Sequence, residues 1–565
     1  MLDFKHIYEP EDYIETSIAG KLLLMTPQLN KSTAFSKQER HDFDLLGKLP
    51  PRVEDLEEQV QRAYLQFSSF ETFLEKNIYL NNLHNTNQVL FYRLVTEHLK
   101  EMVPTIYTPI VGTAVKSFSR EYRSARGLFV AYNEAQHIEE ILDNRSNPDI
   151  DVIVVTDGEG VLGIGDQGVG GMDIPIAKLM VYGLCGGINP CHTLPIQLDV
   201  GTNNQALLDD PMYLGLRHPR KTGKEYDDFI AKFVAAIKKK FPHVFLHWED
   251  FGRGNARRIL DEYRDQLCTF NDDVQGTGAV TLAGFLAAVK YKGEKLSDQR
   301  IVVYGAGTAG MGITDQIRDA MIREGLTEEQ ANAQFWLVDR FGLIFDDMDD
   351  LTDAQKPYAL SRDAVKDWKI ADASNVSLAE TTAQVHPTIL VGCSAQAGHF
   401  TEDMIKDIAK HTDRPIILPL SNPTEKAEAT PTQILEWTDG KALIATGSPF
   451  EPVDYKGHTH VIAQCNNALV FPGLGLGMIA SKSKRCTDNM IWAACDTLSD
   501  HAPINNDPHA ALLPDLDHAR EVAEKIGIAV AKQAQKDGFA QVDGDPETLV
   551  KQTMWKPHYV PLKRK

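Results

Sequence analysis

The chain has 565 residues, 43% apolar and 24% charged, a composition too apolar for general disorder, too polar for a membrane protein and long enough for three or four domains. Its 79 acidic and 58 basic side chains leave a net charge of −21, a field that repels nucleic acid and anionic lipid. No apolar run approaches the roughly 18 residues of a membrane span, and the start, MLDFKHIYEPEDYIE, lacks the pattern of a secretory signal, so a cytoplasmic chain is expected.

Residues 1–125 read as a helical amino-terminal region. LEEQVQRAYLQF and the stretch 76–103 carry apolar residues at three- and four-residue intervals, and Pro104 and Pro109 in PTIYTP act as stop signals. From 126 to 274 strands and helices alternate, the mark of an α/β domain. Asp151–Thr156 is a buried-strand pattern followed by the glycine-rich DGEGVLGIGDQGVGG. PIAKLMVYGLCGG reads as a helix and TLPIQLDV as a strand. Thr222-Gly-Lys-Glu225 has the capping-box pattern, opening a helix with Tyr226, Phe229, Ile230, Phe233 and Ile237 on one face. HVFLHW (243–248) is a strand that ends at Glu249-Asp250.

A second α/β unit spans 275–465. The helix VTLAGFLAAVKYKG precedes RIVVYGAGTAGMG, and FWLVD, TILVGC, PIILPLSN and ALIATGSPF supply further strands. FDDMDDLTDA (345–354) reads as a solvated loop and helix start. Residues 466–565 are expected to return and pack on the 126–274 unit. The seven cysteines form no CxxC pair and fit free thiols in a reducing compartment.

Gly305-x-Gly307-x-x-Gly310 follows the strand Ile301–Tyr304 and opens a helix, the order a Rossmann-like dinucleotide site requires. The glycines permit a tight turn and a close approach by pyrophosphate, and the helix amino end stabilises its charge. Asp339 ends the next strand, where a carboxylate accepts from ribose hydroxyls and repels a 2′-phosphate. This favours NAD over NADP.

Two acidic pairs, Glu249-Asp250 and Asp272-Asp273, stand at chain turns. Packed together they require protonation, hydrogen bonding or a cation, and oxygen ligands suit Mg²⁺ or Mn²⁺. Adjacent acids are equally common in solvated loops. Lys178 is a general base if buried near a cation, or else a surface lysine. Tyr107 between prolines is either a held acid or a packed aromatic.

These residues sit in linked motifs that resemble those of the malic enzyme superfamily. The resemblance runs from Leu29-Asn30-Lys31-Ser-Thr-Ala-Phe to the last hundred residues, through PTIYTP (104–109), VTDGEGVLGIGDQGVGG (155–171), LDVGTNN (198–204), ED (249–250), FNDDVQGTG (270–278), GAGTAGMG (305–312), LSNPT (420–424) and CNNALVFPGLGLG (465–477). It implies a homodimeric or homotetrameric enzyme that oxidatively decarboxylates (S)-malate to pyruvate and CO₂ with NAD and Mg²⁺ or Mn²⁺. By motif, it implies Glu249, Asp250 and Asp273 as metal ligands, Lys178 as base, Tyr107 as acid and Asp272 as the residue that tunes the lysine. It also implies Asn422 and Asn467 as substrate-contacting amides, with Asn466 a neighbouring candidate and Asn422 near the cofactor as well. Gln355 stands near a position where phosphate-preferring relatives often carry lysine, with Lys356 beside it. Many malic enzymes have arginine where this chain has Gly160, and DGEG, HWEDFGRGNA, GEKLSDQ and FDDMDDLT resemble malolactic enzymes, which convert (S)-malate to (S)-lactate and CO₂ with bound NAD. CTFNDD, ATGSPFEPV and QCNNALVFPG resemble oxidative malic enzymes, the reading favoured here.

Overall fold

Strands that are apolar along their whole length bury both faces, and parallel sheets wrapped by crossover helices provide that burial. The computed structural model describes residues 13–565 apart from 109, 123 and 162, so Pro109, Leu162 and the first twelve residues lie outside it. Its architecture is α/β, with a helical amino-terminal region and a Rossmann-like nucleotide unit.

The first sheet has five parallel strands in the order Leu128–Ala131, Thr193–Asp199, Val152–Thr156, Phe245–Trp248, Thr269–Asn271. Helices Asp173–Leu184, Gly223–Lys240 and Arg253–Tyr263 are among those that connect them. Tyr226, Phe229, Ile230, Phe233 and Ile237 are all buried, as their spacing requires. The capping box expected at Thr222 does not form. Glu225 instead accepts from the Tyr132 hydroxyl at 2.9 Å, so it is drawn off the helix end toward a neighbouring segment.

The second sheet has seven strands, with Ile301–Tyr304 between Ile389–Gly392 and Phe335–Asp339. All its pairings are parallel except the last, where Gly342–Leu343 turns back on Phe335–Asp339. The chain moves outward from Ile301–Tyr304 to one side, then crosses to Ile389–Gly392 on the other. This reversal opens a crevice at the carboxyl ends of those two strands, where such sheets bind ligands.

The 76–103 stretch is not continuous. Helices Phe73–Thr86 and Gln88–Glu97 break at Asn87, whose side chain accepts from Leu90 N and donates to the Tyr559 hydroxyl. Residues 345–354 form turns rather than a helix start, and several of them line the large cavity described below. The carboxy-terminal residues reach back across the molecule. Phe471 stacks edge-on against Tyr182, Arg520 donates to the Leu184 carbonyl, and Leu562–Arg564 pairs in parallel with Ile14–Thr16. No helix among the described residues is long and apolar enough to cross a membrane.

Candidate active site

At the crevice of the second sheet the three motif glycines differ in what they make room for. Gly305 has a left-handed backbone (φ 101°), and a Cβ there would lie 2.6 Å from the Cys393 backbone; one at Gly310 would lie 2.0 Å from the Gly305 carbonyl oxygen. Both positions therefore exclude any larger residue. At Gly307 a Cβ would meet nothing within 4 Å. That open space faces the first turn of the Thr308–Arg323 helix, whose backbone N–H groups have no intrahelical acceptor. Beside it lies a cavity of about 1110 Å³, lined by Gly307, Thr308, Asp339, Arg340 and Gln355 among others. Its size and its free N–H groups fit a dinucleotide with its pyrophosphate at the helix end. Asp339 stands at the end of its strand with a carboxylate oxygen 4.0 Å from Arg253 Nη2. Gln355 is buried and donates to the Ala306 carbonyl at 2.9 Å, whereas Lys356 pairs with exposed Asp353.

The acidic pairs come together because their strands are neighbours. Glu249 and Asp250 follow Phe245–Trp248; Asp272 and Asp273 open a π-helical turn after Thr269–Asn271. All four carboxylates are buried. One oxygen each of Glu249, Asp250 and Asp273 lies within 4.8 Å of the other two. Asp250 adopts φ 56°, donates its N–H to Asp273 at 2.8 Å, and accepts from Gly160 N at 2.9 Å. Burial pushes the Glu249 carboxyl up to about 8 despite the neighbouring Lys178 ammonium, with Asp272 adding repulsion. Burial and the Glu249 charge raise Asp273 well above the carboxylate range. Asp272 Oδ1 is buried without a hydrogen-bond partner. A hard divalent cation fits this set: it would neutralise the repulsion and take oxygen ligands from Glu249, Asp250 and Asp273.

Lys178, on the Asp173–Leu184 helix, is 2% exposed. Its ammonium pairs with Asp272 and lies 3.1 Å from Glu249 Oε1. It sits 5.3 Å from the Tyr107 ring centre and 4.6 Å from that of Phe471. Burial alone lowers a lysine, but Asp272 and Glu249 outweigh it and hold Lys178 protonated far above its ordinary range. Tyr107 follows a turn pinned by Asn77, which donates to the Thr105 carbonyl at 2.8 Å. Burial raises its phenol, against the opposing pull of Lys178.

Asn467 donates to Asp272 Oδ2 at 2.9 Å and to Thr277 Oγ1 at 3.1 Å. Asn466 caps the turn that carries it, accepting from Ala468 N. Asn422 accepts from Ser448, and its backbone oxygen is 3.5 Å from where a Cβ on Gly163 would sit, so the nucleotide unit closes on the glycine-rich loop there. At Gly160 a Cβ would lie 2.5 Å from the Phe251 carbonyl oxygen. No side chain enters there unless the Asp250–Phe251 backbone moves.

A buried relay behind Glu249 escaped the sequence reading. The Tyr182 hydroxyl meets His247 Nδ1 at 2.8 Å, and His247 Nε2 meets Glu249 Oε2 at 2.8 Å. Burial lowers His247 to about 3, so the ring is neutral. The signal was available: His247 and Glu249 are two apart on an extended segment and so share a face.

Two family models match the chain: "Malic enzyme, N-terminal domain" over residues 84–264 and "Malic enzyme, NAD binding domain" over 274–535. The NAD-dependent malic enzyme of Sodalis glossinidius is 49% identical over 560 residues, covering 99% of each chain. That of Edwardsiella ictaluri is 49% identical over the full length of both. Among solved structures, the malic enzyme of Entamoeba histolytica superposes with a TM-score of 0.55 over 90% of each chain at 23% identity. That of Pyrococcus horikoshii gives 0.53 over 80% of this chain and 88% of its own, at 22% identity. These two likenesses bear on the fold, and they agree with the sheets described above. With both units matched and curated relatives aligned from end to end, this chain belongs to the malic enzyme family.

Proposed function

We propose that the protein oxidises (S)-malate with NAD and Mg²⁺ or Mn²⁺, releasing pyruvate, CO₂ and NADH. The observation that carries this reading is Lys178, buried between Asp272 and Glu249 on the rim of the three-carboxylate centre. Arg253 joins that centre to the nucleotide turn: it opens the helix after Asp250 and donates to the Ala306 carbonyl at 3.1 Å.

NAD bound at the Gly305–Gly310 turn would supply the acceptor for the C2 hydride, and a divalent cation held by Glu249, Asp250 and Asp273 would supply polarisation of the C2 oxygen. Lys178 would take the C2 hydroxyl proton, since a divalent cation held by Glu249, Asp250 and Asp273 would oppose its protonated form. Asp272 holds the lysine in place and is itself steadied by Asn467. Tyr107, kept protonated by burial, delivers a proton to C3 after CO₂ leaves. With no arginine at Gly160, orientation falls to Asn422, Asn467 and backbone amides.

The test is a malate reaction in which NADH, pyruvate and lactate are quantified together. NADH and pyruvate are expected to rise one for one with malate consumed. Stoichiometric lactate without net NADH would overturn the oxidative reading in favour of malolactic chemistry.

NAD is the preferred nucleotide on this reading because Asp339 faces the cavity and Lys356 is occupied by Asp353. Asp339→Ala is expected to reduce discrimination against NADP by at least about tenfold, since a carboxylate near a 2′-phosphate costs more than 1 kcal/mol at intermediate dielectric. Steady-state kcat/KM for both nucleotides checks this, and a parent enzyme that already favours NADP refutes it.

A homo-oligomer is also proposed. Leu65, Phe73 and Ile78 are exposed on the amino-terminal helices and Tyr122 just after one, and exposed apolar side chains of this kind suit contact with a second copy. The seven free cysteines support a cytoplasmic setting.

A further inference from the structure

The nucleotide unit carries a second convergence of ligand-type side chains, remote from the carboxylates. The Leu378–Val385 helix ends at His386, which takes left-handed angles (φ 47°, ψ 63°). Histidine enters that region more readily than most residues, and Pro387 stops the helix from continuing. The imidazole is thereby turned against the Glu402–His411 helix, on which Asp407 and His411 stand one turn apart on the same face. The two imidazoles stack with centroids 3.6 Å apart at 24°. Asp407 Oδ2 lies 3.3 Å from His386 Nδ1 and 3.8 Å from His411 Nδ1. A nitrogen from each ring and an oxygen from Asp407 fall within 4.8 Å of one another.

His411 Nδ1 meets the Asp407 backbone carbonyl oxygen at 2.9 Å, so that ring offers a cation its Nε2, and the rest of the bonding at this point is incomplete. His386 Nδ1 and Asp407 Oδ2 are both shielded from solvent, yet neither has a hydrogen-bond partner despite their 3.3 Å separation. Two desolvated polar atoms left unpaired are unfavourable, and a shared cation removes that penalty. We propose that His386, Asp407 and His411 bind one divalent cation of the Zn²⁺ class. Two imidazoles and one carboxylate suit Zn²⁺, Ni²⁺ or Cu²⁺ and discriminate against Mg²⁺. The side chains are 34%, 34% and 43% exposed, so water completes the coordination from the open side.

The site is a clamp rather than a second catalytic centre. His386 lies just before Ile389–Gly392, at the amino end of a strand whose carboxyl end faces the nucleotide crevice. A cation here ties the carboxyl ends of two helices at the end of the sheet opposite the nucleotide crevice.

The experiment uses the full chain with Mg²⁺ in excess to fill the carboxylate centre, titrated with Zn²⁺ against a chromogenic chelator while melting is followed. One Zn²⁺ per chain at micromolar affinity and a raised melting temperature are expected. His386→Asn, Asp407→Asn and His411→Asn should each weaken Zn²⁺ binding at least about tenfold. Their metal-free melting temperatures should stay within about 3 °C of the parent, because asparagine tolerates the left-handed position and the others are partly exposed. A His458→Asn/His509→Asn variant, which removes the other stacked histidine pair, should bind Zn²⁺ like the parent. Undiminished Zn²⁺ affinity in His386→Asn and His411→Asn, loss confined to the His458/His509 variant, or no Zn²⁺ bound by the parent at micromolar concentrations would each overturn the proposal.

Discussion

Lys178→Ala is expected to lower kcat for malate oxidation by about 10²–10⁴-fold, the usual share of a positioned general base. The reason is geometric as much as chemical. Lys178 is 2% exposed, held by Asp272 and Glu249 and flanked by the rings of Tyr107 and Phe471, so water has little room to replace it. The same substitution strips the partner from two buried carboxylates, which costs about 3–5 kcal/mol of stability. The two effects separate in one set of measurements. Melting in excess Mg²⁺ should recover much of the lost stability, because a cation compensates the same charges, whereas kcat should not recover. Tyr107→Phe provides the contrast. It keeps the ring beside Lys178 and removes only the proton, so first-turnover NADH should form while pyruvate lags behind it. A Lys178→Ala enzyme with near-parent kcat at saturating Mg²⁺ would remove the lysine from the proposed mechanism.

The sequence made the nucleotide turn and the acidic centre legible for different reasons. Gly305 and Gly310 are local constraints: a strand, a left-handed turn and a helix follow one another within a few residues, so adjacency in the chain is adjacency in space. Glu249 and Asp273 are more than twenty residues apart in sequence, yet each lies within two residues of a strand end, and those strands are parallel neighbours. Placing both at one sheet edge required only the α/β pattern. Lys178 comes from a helix elsewhere in the chain, and its burial was open between two readings until packing removed solvent from it. The Tyr182–His247–Glu249 relay had a period-two signal at one end only; nothing in the chain ties Tyr182 to it, since that contact depends on the angle at which the helix crosses the sheet.

Local signals also lost to tertiary partners. Glu225 left the capping position for Tyr132, and Asn87 split a helical stretch while bonding to Tyr559, which is 472 residues away in sequence. In both cases a polar side chain found a partner distant in sequence, Asn87 while still capping its helix through Leu90 N, information that no window of sequence contains. The acidic run 345–354 illustrates the converse. Its composition matches a solvated loop, but its position after the strand that ends in Asp339 folds it over the nucleotide cavity.

Asp273→Asn should be the most selective perturbation of the metal centre. Asparagine nearly preserves volume, and its side-chain oxygen can still accept the Asp250 N–H that Asp273 now accepts at 2.8 Å. The backbone turn at Asp250, with its left-handed φ of 56°, therefore keeps its support. What disappears is an ionisable carboxyl that burial and Glu249 push well above the usual range, and that can carry its charge only when a cation is beside it. In the presence of EDTA the variant should then melt no lower than the parent, because folding no longer has to bury a carboxyl that is charged in the unfolded chain and must take up a proton. With Mg²⁺ the order should reverse. The parent gains stability as the cation binds, whereas the variant, with a neutral and weaker oxygen ligand, should need at least about tenfold more Mg²⁺ for the same gain. Metal-dependent kcat/KM should fall by about 10²-fold or more, since charge developing on the C2 oxygen loses part of its electrostatic stabilisation. This crossing of stabilities separates a ligand from a merely structural acid. A structural aspartate would lower melting equally with and without metal, and an Asp273→Asn protein with parent-like Mg²⁺ stabilisation and turnover would take Asp273 out of the centre.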